Sequence, residues 1–113
     1  MSTYTPDCWE LLRITTTNGK VIYKVIAGWY GGFSGSNSWK ISSGIESVIE
    51  HEHYFEMPQS SGSVYNCGKS TRRMSGLMSS IYASFVDQLK ESGSATLELI
   101  VDEPTTLTLT KEE

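Results

Sequence analysis

The sequence predicts an α+β domain: a curved antiparallel β-meander, one amphipathic helix over about residues 71–91 packed on one face, and a C-terminal returning strand. Three observations carry this. Runs of β-branched and aromatic residues separated by turn residues fill the first two thirds of the chain. The apolar spacing then changes to steps of three and four, and a further β-rich run follows Gly93.

Residues 9–16 and 21–27 flank Asn18-Gly19, a strong short signal for a hairpin. Residues 39–41 and 45–49 read as a second strand pair broken by Ser42-Ser43-Gly44. Residues 53–57 and 63–67 read as another hairpin, turning through Pro58 to Gly62. Met74, Leu77, Met78, Ile81, Phe85, Val86 and Leu89 form the stripe of an amphipathic helix, capped by Ser70 or Thr71 and stopped at Gly93. Residues 95–101 make a strand, and after Pro104 the alternation of Leu107 and Leu109 with threonines reads as a half-buried strand, either an edge strand or a frayed end.

At 113 residues, with no linker and no internal repeat, residues 1–113 form a single domain able to bury a core without disulfides. A net charge of -4 and a pI of about 5.1 exclude general nucleic-acid binding, which needs clustered positive charge. No apolar run is long enough for a membrane helix, and the first residues lack the basic and apolar regions of a secretory leader, so a cytosolic protein is expected. Cys8 and Cys67 are then thiols. Cys67 is either a nucleophile, if the fold brings a histidine to it, or a small buried hydrophobe on a strand.

Two stretches read as one binding device. The first, residues 28–39, mixes Trp29, Tyr30 and Trp39 with glycines and serines; the second runs from Ser61, Gly62 and Ser63 to Lys69, Arg72 and Arg73. Rings stack on a planar base, glycines open backbone N–H groups, and the cations neutralise an anion, which together is the chemistry of a nucleotide pocket. With three Trp, six Tyr and three Phe, the chain has more aromatic surface than one helix needs to cover. The rings of Trp9 and Phe85 are assigned to the core; those of Trp29, Tyr30 and Trp39 either fill the core or face a ligand.

Gly68-Lys69-Ser70-Thr71 is close to the end of a phosphate-loop motif, but position 63 is serine where the motif needs glycine, and the element order is not that of a parallel βαβ unit. What remains is a helix start near Thr71 beside Lys69, Arg72 and Arg73, where an anion can rest, or else a solvated basic surface. His51 and His53 share a face if their segment is a strand, but they lie in an acidic turn, and neither a metal site nor a catalytic residue is assigned.

The patterns Thr5-Pro6-Asp7-Cys8-Trp9, Gly28-Trp29-Tyr30-Gly31-Gly32, Ser38-Trp39, Ser42-Ser43-Gly44-Ile45 and Ser61-Gly62-Ser63-Val64-Tyr65-Asn66-Cys67 resemble those of short tailed-bacteriophage accessory proteins over residues 4–90. The resemblance implies a phage protein acting in the cytoplasm of an infected bacterium against host defence. The leading expectation is a non-catalytic sponge without a cofactor, in which Trp29, Tyr30 and Trp39 enclose the base of a nucleotide signal and Ser61, Gly62, Ser63, Lys69, Arg72 and Arg73 hold its phosphates. A symmetric homo-oligomer is expected, because a shared pocket buries more of a small ligand. The alternative is a protein inhibitor whose aromatic surface, with Glu46, Glu50, Glu52 and Glu56, covers a basic host protein. A nucleotide-degrading enzyme would need Cys67, His51 or His53, and a structural role in the particle is disfavoured by the lack of repeats or long arms.

Overall fold

The computed structural model of the chain describes residues 2–31, 37–107 and 109. The fold is α+β, as expected, but the strands divide between two sheets. Strands β1 (Thr3–Tyr4), β5 (Ile49–Glu50), β6 (Tyr54–Pro58) and β7 (Val64–Gly68) form one sheet in the order β1-β7-β6-β5. Strands β2 (Cys8–Thr16), β3 (Val21–Trp29), β4 (Ser38–Ile41) and β8 (Ala95–Ile100) form the other, in the order β4-β3-β2-β8. Every pairing is antiparallel except that of β1 with β7.

Strands β2 and β3 form the predicted hairpin around Asn18-Gly19 and are apolar on both faces, as strands covered on both sides must be. Trp9 and Leu11 of β2, with Val25 and Ala27 of β3, join Phe55, Met57, Tyr65 and Cys67 of the first sheet in one core. Cys8 and Leu12, with Ile26, point the other way and join Met78 of the helix α1 (Gly76–Ser92) and Leu97 in a second core. The layers are therefore sheet, sheet and helix. The face that the sequence left open for a ligand or partner is covered by the chain's own second sheet.

Three local expectations are corrected. Residues 39–41 do not pair with 45–49: β4 pairs with β3, Ile45 bridges to Gln59, and β5 pairs with β6. Ser42 ends β4 by exchanging both of its bonds with Val25, its N–H donating to the carbonyl and its hydroxyl accepting from the N–H, after which Gly44, at φ 155°, carries the chain to the other sheet. The helix begins at Gly76, not Thr71, because residues 71–73 run beside β2, where the Arg73 N–H donates to the Trp9 carbonyl. Ser75 is the cap, its hydroxyl accepting from the Met78 N–H, and Gly93 ends the helix in the left-handed region as predicted. After β8 the chain makes a short 3-10 turn, Pro104–Thr106, in place of a strand start. Leu107 and Leu109 pack against the sandwich core, whereas residues 108 and 110 lie outside the described residues.

Gly28 shows how tightly β3 meets the helix. A Cβ there would sit 2.4 Å from Met78 Sδ and 3.1 Å from Cys8 Sγ, both on fully buried residues. Gly28→Ala is expected to lower stability in urea titration by about 1–3 kcal/mol. Gly76→Ala, where the added carbon meets nothing within 4 Å, is expected to raise it by up to ~1 kcal/mol.

Candidate functional site

A cleft of about 570 Å³ lies between the start of β3, residues 43–47, and the β6–β7 hairpin. Ser43, Gly44 and Ser60 of its lining belong to two Ser-Ser-Gly tripeptides, residues 42–44 and 60–62, whose glycines take φ values of 155° and 92°. A side chain is disfavoured at both, so the turns depend on glycine.

These two loops are locked together. Ser42 and Gln59 are the buried polar side chains of the described core; Ser42 bonds Val25 of β3, and Gln59 joins the two loops. The Gln59 amide donates to the Met57 carbonyl at 2.8 Å and accepts from the Gly44 N–H at 3.3 Å. The Ser60 N–H donates to the Gly44 carbonyl at 2.8 Å, and the Ser61 N–H to the Ser43 hydroxyl at 3.0 Å. The lining combines Ser43, Ser47, Ser60 and Tyr23 with apolar Ile22 and Ile45. Among the described residues its charged groups are one lysine, Lys20, and one glutamate, Glu46. Such a cleft offers hydrogen bonds and apolar contact with little net charge.

The predicted site residues fall in three places. Ser61, Gly62 and Ser63 lie in the β6–β7 turn beside the cleft, at one end of β7; Lys69 follows the other end. Trp29 and Trp39 lie on opposite faces of their sheet. Trp29 meets Tyr4 edge-on at 6.1 Å, donates to the Thr5 carbonyl and packs on the sandwich core, while Trp39 meets Phe85 of the helix at 6.1 Å. Tyr30 lies at the end of β3, with the Arg73 guanidinium 5.9 Å from its ring centre and donating to its hydroxyl.

Like Arg73, the other two cations have internal partners. Lys69 pairs with Glu50 at 2.7 Å. Arg72 pairs with Glu10 at 2.9 Å, donates to the Ile100 and Asp102 carbonyls at 2.7 Å each, and lies 5.3 Å from the centre of the fully buried Trp9 ring. The helix N-terminus, moved to Gly76, no longer supplies the anion seat expected beside Thr71. Rings, serines and cations therefore do not converge on one pocket. The sequence signal for the cleft was the repetition of Ser-Ser-Gly, with Gln59 just before its second copy.

Among the described residues no group of three metal-ligating side chains occurs. His51 stacks on Tyr54 at 4.5 Å and bonds Glu56 at 2.9 Å, while His53 is exposed beside Glu52. Cys8 and Cys67 are buried free thiols. Burial pushes the Cys67 thiol up to about 12, away from the activated range of a nucleophile. It does the same to Tyr65, also up to about 12.

In the unfolded chain the thiol ionises near 9.0 and the phenol near 10.0, whereas the folded protein keeps both protonated until about 12. The folded state binds the extra protons in that window, so stability is full below pH 9 and falls as pH rises toward 12. Urea midpoints are expected to drop progressively above pH ~9, and Cys67→Ala is expected to flatten the slope. In native protein, thiol reagents are expected to leave Cys67 unlabelled until denaturant is added.

No family model, curated protein or solved structure matches the chain, and what the cleft does is to be read from its own chemistry.

Proposed function

We propose that this protein sequesters a nucleotide-type signal without turning it over, as a phage counter-defence sponge in the cytoplasm of the infected host. The observation that supports the reading is the cleft. The buried Gln59 amide and the Ser60 and Ser61 N–H groups tie the two Ser-Ser-Gly loops together beside a space of about 570 Å³, a volume suited to a small ligand. Preorganised walls lower the ordering cost of binding, which a sponge working at low signal concentration requires.

With one lysine, Lys20, and one glutamate, Glu46, among the described residues of the lining, the cleft favours a ligand with few phosphates and several hydroxyls, such as a nucleoside or a cyclic nucleotide. Ser43, Ser47 and Ser60 bond its sugar hydroxyls, and Tyr23 meets its ring. This moves the binding role from Trp29, Trp39, Lys69 and Arg72 to the cleft.

A second reading, a protein inhibitor, is favoured by Tyr30 and Trp39, which remain 46% and 38% exposed. Of the acidic residues it invokes, Glu50 and Glu56 already pair with Lys69 and His51.

Mass spectrometry of small molecules released by heating protein exposed to lysates with active nucleotide signalling separates the two. An intact nucleoside or nucleotide in stoichiometric amount is expected from the native chain and from Arg73→Ala, and none from Ser60→Trp, which fills the cleft. If no lysate yields a ligand, and Tyr30→Ala with Trp39→Ala abolishes counter-defence activity, the inhibitor reading replaces the sponge.

A further inference from the structure

Every sheet edge exposes unpaired backbone groups, and proteins blunt such edges with short strands, lysines, prolines or bulges. Three of the four edges here follow that rule. Strands β1 and β5 have two residues each, and β4 has four, including Lys40.

Strand β8 does not follow it. It is six residues long, Ala-Thr-Leu-Glu-Leu-Ile, with no lysine, proline or glycine. Its one strand neighbour is β2, and among the described residues no strand lies on its outer edge. About half of its N–H and C=O groups point to that edge. Its single charge, Glu98, is drawn onto the neighbouring strand by Arg13 at 2.9 Å.

The side chains agree with the backbone. Leu97 faces the helix and Ile100 the sandwich core, so alternation puts Leu99 and Val101 on the helix side, where they are 38% and 82% exposed.

We propose that β8 pairs edge to edge with β8 of a second copy of this chain, antiparallel about a two-fold axis at Leu99, joining two four-stranded sheets into one. The register selects the occupant. Centred on Leu99, the pairing sets Leu99 against Leu99, Leu97 against the copy's Val101 and Glu98 against Ile100, so the exposed Leu99 and Val101 each meet an apolar side chain and no like charges oppose. Centred on Glu98, it would set two carboxylates against each other. The same patch serves both copies, as a two-fold interface requires. The pairing does not depend on what the cleft holds.

The full chain is tested by size-exclusion chromatography with light scattering over a concentration series. A dimer is expected, with Leu99→Lys, checked for native circular dichroism, raising its dissociation midpoint at least ~10-fold. Because that variant can fail by misfolding, Leu99→Cys supplies an independent readout. Mild oxidation is expected to give a covalent dimer on a non-reducing gel, while Thr17→Cys, in the exposed hairpin turn, stays monomeric. Native Cys8 and Cys67 are buried and add no background. A wild-type monomer at the highest concentration overturns the proposal. So does Leu99→Cys linking no better than Thr17→Cys, or a foreign protein on β8 that Leu99→Lys releases while the wild-type chain stays monomeric.

Discussion

Strands β2 and β3 must be covered on both faces, and the rest of the structure follows from that. Trp9, Leu11, Val25 and Ala27 on one side and Cys8, Leu12 and Ile26 on the other are fully buried, so neither face can be left to water. The chain meets the demand in order. Residues from Ile45 to Gly68 build the second sheet over the first face, residues 71–73 return beside β2, and α1 closes the second face before β8 rejoins the sheet.

Arg72 secures the crossing between the two cores. Its charge is partnered by Glu10, its remaining donors meet the carbonyls at the end of β8, and its plane lies near Trp9. Arginine suits this place because the planar guanidinium can serve a carboxylate, two carbonyls and an aromatic ring together. The Trp9 indole N–H in turn donates to the Gly68 carbonyl at 2.7 Å, tying the end of β7 to β2. A residue that looked like a phosphate ligand is thus part of the frame.

Polar groups are distributed differently around the cleft. Burying an amide or hydroxyl is unfavourable unless its bonds are made; the Ser42 hydroxyl accepts from the Val25 N–H of β3, and the Gln59 amide joins the Met57 carbonyl of β6 to the Gly44 N–H.

Local chemistry was enough to place the Asn18-Gly19 hairpin, the β6–β7 hairpin, the helical stripe with its Gly93 stop, and the strand after it, because turn propensity and apolar period act between near neighbours. The helix start was misplaced because residues 71–73 carry acceptable capping chemistry yet bond to β2, a partner more than sixty positions away in sequence. For the same reason Trp29 and Trp39, both set among glycines and serines, were read as one clamp until the sheet placed them on opposite faces. Charge, aromatic content and Ser/Gly loops belong to the sequence by itself. Which cations remain for a ligand, and which loops enclose a cleft, was decided only in three dimensions, because pairing and burial join residues that no local pattern connects.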